Sequence, residues 1–177
     1  MTTHRAQFPA LLSLVLLTSC ATKAPTTTEP PIPAVTGFVL ERYLGQWYEI
    51  ARMPHWFERD MDYVRAEYSR RPDGRIRVVN SGTKNGKEKS ATAVAKFKGD
   101  PSVGELRVSF FRPFYGDYRI LALDQDYTQV IVGSSGKDFL WILARTPTIP
   151  QEDLDRHLAQ IKAWGYDTTK LEYPRQK

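Results

Sequence analysis

Leu44-Gly45-Gln46-Trp47-Tyr48-Glu49-Ile50-Ala51-Arg52 is the stretch on which the reading of this chain turns. Gly45 allows a bend or a close backbone approach that a side chain would block, and Trp47 places a large indole two residues later. From Trp47 the residues alternate: Trp47, Glu49 and Ala51 point one way, Tyr48, Ile50 and Arg52 the other. Period two with aromatic and branched residues describes a strand with one buried face, and the chain after it looks built to close around this opener.

Working outward, residues 53–63 break the alternation with Pro54, His55, Trp56, Phe57, Glu58, Arg59 and Asp60, a long irregular connection with two bulky aromatics. Strand signals then recur over 64–71, 75–82, 91–99, 105–111, 118–123, 130–133 and 139–146. Turn chemistry separates them, including Pro72-Asp73-Gly74, Asn85-Gly86, Asp100-Pro101 and Gly133-Ser134-Ser135-Gly136. The pattern predicts an all-β fold, an eight-stranded up-and-down antiparallel barrel, with a β-sandwich as the competing arrangement. Closure is favoured because sequential hairpins need no crossovers and a closed sheet has no exposed edges. Leu154, Leu158, Ile161 and Trp164 fall on one helical face after acidic Glu152, Asp153 and Asp155, and Gly165 stands as a stop. That predicts one C-terminal α-helix packed outside the barrel, followed by an extended piece over 166–173.

The length of 177 residues suits one domain, and 41% hydrophobic with 25% charged residues is a globular composition. A net charge of +5, with bases and acids interleaved, gives no nucleic-acid footprint. At the amino terminus, His4 and Arg5 precede an apolar run from Phe8 to Leu17, too short to span a bilayer, and Leu17-Thr18-Ser19-Cys20 follows. We read residues 1–19 as a lipoprotein signal peptide and Cys20 as the acylated lipid anchor, of palmitate class, at the head of the mature chain. Cys20 is the only cysteine, so no disulfide and no thiolate metal cluster is available. Ala21 rather than Asp follows it, which in bacterial lipoproteins implies sorting to the outer membrane. Residues 20–36, polar and rich in Pro and Thr, read as a tether of up to ~50 Å in extended form, leaving 37–177 as the folded domain.

Three blocks carry a family resemblance: Gly45-x-Trp47-Tyr48-Glu49-Ile50-Ala51-Arg52, Leu123-Asp124-Gln125-Asp126-Tyr127, and Leu140-Trp141-Ile142-Leu143-Ala144-Arg145-Thr146-Pro147. In order and spacing they resemble the conserved blocks of lipocalins, with Gln125 standing where Thr is usual. The wider context, Phe57-Glu58-Arg59, the run from Ser109 to Gly116 and the lipobox, is similar to the bacterial, apolipoprotein D-like subgroup of outer-membrane lipoproteins. The resemblance implies a barrel whose closed end is structural and formed by Gly45, Trp47 and Arg145, with the guanidinium lying across the indole. It also implies a lumen for fatty acids or lysophospholipids in envelope maintenance, with no cofactor and no metal, and relatives that pair raise a possible homodimer.

Trp56, Phe57, Phe97, Phe111, Tyr115, Phe139 and Trp141 are the candidate wall and mouth residues, each with core packing as its plain alternative. A headgroup would stay at the rim, where Tyr115, Arg112 or Lys137 could meet phosphate. Catalysis has little to stand on. His55 and His157 each read as lone solvated polar residues and metal-ligand spacing is absent; enzymes of the lipocalin fold exist, and one that isomerises a lipid uses a free thiol that this chain lacks. The alternatives to a lipid carrier are an envelope scaffold or inhibitor that binds another protein through its outer face, and a lipid-modifying enzyme.

Overall fold

The computed structural model describes residues 32–176. Eight strands follow in order: β1 (Gly45–Arg52), β2 (Met61–Arg70), β3 (Ile76–Lys84), β4 (Lys87–Phe97), β5 (Glu105–Phe111), β6 (Phe114–Leu123), β7 (Gln129–Gly133) and β8 (Leu140–Ala144). Each pairs antiparallel with its sequence neighbour, and β8 returns to β1 through Tyr48↔Ala144 and Glu49↔Leu143, so the barrel is closed. Asn85 (φ 52°) and Gly86 (φ 73°) supply the two left-handed positions that a tight β3–β4 hairpin requires.

Alternation sends successive side chains to two different cores. Trp47, Tyr68, Ile76, Val78, Ala93, Ala95, Leu106, Val130 and Val132 pack inward, together with Leu143. Ala51, Ile131, Leu140 and Ile142 pack outward, beneath α2 (Gln151–Ala163). Covering β7 and β8 on both faces is why Val130-Ile131-Val132 reads as an unbroken apolar run. On α2, Leu154, Leu158 and the fully buried Ile161 meet this outer cluster, a transfer gain of about 4–6 kcal/mol. The helix stops in a Schellman motif: Gly165 takes φ 79° and donates to Lys162 O, while Tyr166 donates to Ile161 O.

Four features differ from the sequence expectation. First, the β1–β8 register shifts between Glu49 and Ala51, so the alternation does not run through. A bulge consumes one extra residue and reverses the parity beyond it. Ala51 therefore joins the outer cluster, and Arg52 turns to the same side as Glu49, with their side chains 2.7 Å apart. Second, a four-residue helix, α1 (Leu40–Tyr43), precedes β1. Phe38, Leu40 and Tyr43 sink into the inner core and plug the end of the barrel at which β1 starts. Third, the chain is fixed to the barrel before residue 37. Val35 exchanges backbone hydrogen bonds with Ile120 and Gly104, Thr36 bridges Val103, and Ile32 rests on the outer cluster. Fourth, the segment after α2 is extended only in part, with a 3₁₀ turn at Thr168–Lys170 and a single bridge from Glu172 to Arg52.

Candidate functional site

Arg145 makes the most connections at the plugged end. Arg145 lies with its guanidinium carbon 3.9 Å above the Trp47 ring. Its nitrogens donate to the carbonyls of Arg42 (2.8 Å), Leu44 (2.9 Å), Gln46 (2.8 Å) and Tyr127 (3.2 Å), joining α1, β1 and the β6–β7 turn to β8. Trp47 in turn donates its indole N–H to Tyr43 O at 2.8 Å. Gly45 sits at φ 93°, a conformation strained for any L side chain, and Arg145 Nη1 packs 3.4 Å from where a Cβ would stand.

Above this floor the barrel holds a cavity of about 880 Å³ that opens at the other end. Its walls include Val64, Val78, Val108, Val132, Leu143 and Trp141, and its mouth is ringed by Trp56, Phe57, Phe110, Phe111, Phe114 and Phe139. Phe139 and Trp141 stack nearly parallel at 5.9 Å, and Phe57 lies 6.1 Å from Phe139.

Of the residues singled out from sequence, Trp56, Phe57, Phe111, Tyr115, Phe139 and Trp141 all line this cavity. Phe97 does not. It faces inward but lies at the plugged end, 6.2 Å from Phe38, where that segment fills the barrel. Tyr115 borders the mouth, yet its ring takes the Lys96 ammonium at 4.8 Å, and Lys96 projects outward by alternation with the buried Ala93 and Ala95. Neither Arg112 nor Lys137 lines the cavity, and the Lys137 ammonium lies instead against Gly165 at the end of α2. Cys20 lies outside the described residues.

Sequence reasoning missed the polar groups of the lumen. Tyr43, Tyr118 and Tyr68 form a hydroxyl chain with links of 2.5 and 2.8 Å, and Tyr68 and Tyr118 face the cavity. Burial pushes all three phenols up, Tyr68 to about 12, so they stay neutral. Three hydroxyl hydrogens serve two links, which leaves one for an outside acceptor. Asn80 lies one inward step beyond Val78 on β3, between the cross-strand alanines Ala66 and Ala91, and its buried Oδ1 has no partner. The parity of Ile76 and Val78 is the signal that could have revealed it.

A second polar group secures the long loop over the mouth. Arg52 binds Glu49 Oε1 (2.7 Å), Glu172 Oε2 (3.0 Å) and Glu58 O (2.9 Å), and Trp141 donates its indole N–H to Glu58 Oε2 (3.1 Å). His55 is far from solvated: its side chain is 3% exposed, stacked 3.8 Å from Phe57, with Nε2 2.9 Å from Glu58 Oε2. That contact is at ion-pair distance but outside hydrogen-bond geometry, and Nδ1 also lacks a partner. Burial, then the charge of Glu58, pushes Glu49 well above the usual carboxyl range despite Arg52. Glu58 is desolvated too, but His55 and the Trp141 N–H outweigh burial and hold it low. Buried beside an ionised Glu58, Glu49 is the carboxyl of this group that favours a proton. His157 lies away from the cavity on α2, bonded to Gln129 Oε1 at 2.7 Å.

Comparison with known proteins agrees with this architecture. A model of the lipocalin-like domain matches residues 38–176. Outer membrane lipoprotein Blc of Citrobacter freundii is 42% identical over 169 residues, covering 94% of each chain. The Blc of Vibrio cholerae is 42% identical over 176 residues, covering 98% of this chain and 99% of that one. Among solved structures, insecticyanin of Manduca sexta superimposes with a TM-score of 0.69 at 20% identity over 84% of this chain and 86% of its own, a likeness of fold. With a closed eight-stranded barrel, an outer C-terminal helix and sequence matches of this extent, the chain belongs to the lipocalin family.

Proposed function

We propose that this protein binds single-chain lipids, fatty acids or lysophospholipids, in its barrel and carries them for maintenance of a bacterial envelope, as a binding protein and not an enzyme. The observation that carries the reading is the open apolar cavity of about 880 Å³, which lies within the size range of small-molecule sites. Each methylene it buries contributes ~0.8 kcal/mol, so ten of them contribute ~8 kcal/mol before the cost of association is subtracted. The residual hydroxyl hydrogen of the tyrosine chain and the open Asn80 oxygen offer a polar end of the ligand one acceptor-binding and one donor-binding point. Trp141, held by Glu58, and the stacked Phe139 form the flat wall on which an acyl chain lies.

Support for the place of action comes from the relatives named outer membrane lipoprotein and from the lipobox ending in Cys20. On this reading Cys20 carries the lipid, and the chain sits on the periplasmic side of the outer membrane. Extraction of the purified full-length protein with organic solvent, followed by mass spectrometry, should yield acyl lipids near one per chain. Readdition of lysophospholipid to the emptied protein should change its tryptophan fluorescence; an empty barrel with no response refutes lipid carriage. Cys20→Ser should free the protein from membranes and Ala21→Asp should redirect it to the inner membrane, so outer-membrane retention of both contradicts the anchor.

A further inference from the structure

We infer that the open end of the barrel is itself a membrane-docking surface, which seats on a bilayer containing anionic phospholipid so that the cavity mouth faces lipid directly. Exposed large apolar side chains are concentrated there. Trp56 (78% exposed), Phe57 (40%), Phe110 (39%), Phe111 (79%) and Phe114 (78%) stand around one opening. They come from two separate elements, the loop over 53–60 and the tip of the β5–β6 hairpin, so the patch follows the rim and not one stretch of sequence. Water-exposed aromatics in such number are unfavourable on a free-standing surface and mark a site of association.

The chemistry of the rim selects lipid as the occupant. Between the two aromatic elements the β3–β4 hairpin brings up Lys84, Lys87 and Lys89, while Arg59 and Arg112 lie within the aromatic elements themselves; Asp60, 3.9 Å from Lys84, and Glu88 are the exposed acids set among them, so bases remain in excess. Aromatic side chains set among lysine and arginine match a bilayer interface, rings at headgroup depth and cations against anionic lipids. A second copy meeting this rim across a two-fold axis would instead press one mouth on the other and shut both cavities.

The chain outside the described residues fits the same placement. Twelve residues run from Cys20 to Pro31, enough for about 37 Å in extended form. They join at Ile32, which packs on the same outer cluster of the barrel wall as Ile50 and Met53, and β1 ends at the open end. Strands of about ten residues, tilted in a barrel, give a height near 25 Å, so an anchor at Cys20 can reach the plane of the mouth. Tethering then makes docking intramolecular, and a weak rim affinity is sufficient.

The test uses the mature-length chain, residues 20–177, carrying Cys20→Ser so that no acyl group contributes. Flotation with vesicles of phosphatidylethanolamine and phosphatidylglycerol should carry this protein upward. Adding Phe111→Ser and Phe114→Ser together should lower the bound fraction about tenfold or more, because both rings are already in water and little of the fold rests on them. The same variant should keep the parent's far-ultraviolet circular dichroism and melting midpoint, so that lost flotation is not lost fold. Equal flotation with and without the two phenylalanines overturns the inference, as does a rim-dependent dimer that stays with the soluble fraction. Failure of lysophospholipid to bind the parent chain strikes the proposed cargo, whereas flotation reports on docking alone.

Discussion

Arg145→Ala should unlatch the plugged end of the barrel, and its cost can be worked from the contacts. The guanidinium over Trp47 contributes about 1 kcal/mol, mid-range because the indole is fully buried while the cation is only partly so. Of its four carbonyl acceptors, those of Arg42 and Gln46 are exposed, and water replaces the lost donor there at little cost. The bonds to Leu44 and Tyr127 are partly buried and charge-assisted, at roughly 1.5 kcal/mol each. The sum is about 4 kcal/mol. For a domain of about 145 residues, 1 kcal/mol moves the melting point by about 3 °C, so the midpoint should fall by about 12 °C. Arg145→Lys should lie between, since a lone ammonium can sit over the ring but cannot fork to carbonyls on three elements. Melting followed by near-ultraviolet circular dichroism gives the shift. Lysophospholipid titration below both transitions should give an affinity within about threefold of the parent, because the latch lies beneath the lumen floor. A midpoint within 2 °C of the parent with binding lost would reverse the assignment, making Arg145 a ligand contact and not a latch.

Trp141→Ala removes both a cavity wall and the indole bond to Glu58, and lysophospholipid affinity should fall at least tenfold in fluorescence or calorimetric titration. Trp141→Phe, which keeps the flat wall, should lose much less. Asn80→Leu should strengthen binding of an unfunctionalised hydrocarbon and weaken that of an amphiphile whose polar end reaches the floor; equal effects on both would deny Asn80 any part in recognition. The raised Glu49 means that the folded chain holds a proton which the unfolded chain releases near pH 4.3. Stability contributed by that proton is present below this pH and declines as pH rises through the higher folded value. Denaturant unfolding from pH 5 to 8 should show the decline in the parent and a flatter profile in Glu49→Gln, and identical profiles would place the proton elsewhere. Glu58, held low, works in the opposite sense, losing its contribution as pH falls through its folded value, and dominates only on the acid side.

Much of the architecture was legible because barrel strands carry their instructions locally. Period-two alternation marks a strand wherever it occurs, Asn85-Gly86 makes its hairpin with two φ-tolerant residues, and Leu154, Leu158 and Ile161 define a helical stripe without reference to any partner. The opener was read correctly up to Glu49. Beyond it, Ala51 and Arg52 exchanged sides, because a bulge is set by how β1 must bend to meet β8, about ninety residues away. Phe97 was misplaced for a related reason. Alternation says that a side chain points inward, but height along the barrel, and hence whether it meets the plug at Phe38 or the open cavity, follows from register around the sheet.

The sequence by itself determined the number and order of the strands, the outer helix, the family, and the pairing of Trp47 with Arg145 that the resemblance implied. Tertiary structure alone decided that α1 plugs the closed end, that His55 and Glu58 are buried beneath the first loop, and that Asn80 and two tyrosine hydroxyls reach the lumen. It also decided that Trp56 and Phe57 share a rim with Phe111 and Phe114 across half the barrel's circumference. The physical reason is one of range. Backbone preference and side-chain period act over a few residues, whereas burial, protonation and exposure depend on neighbours that only closure of the sheet brings together.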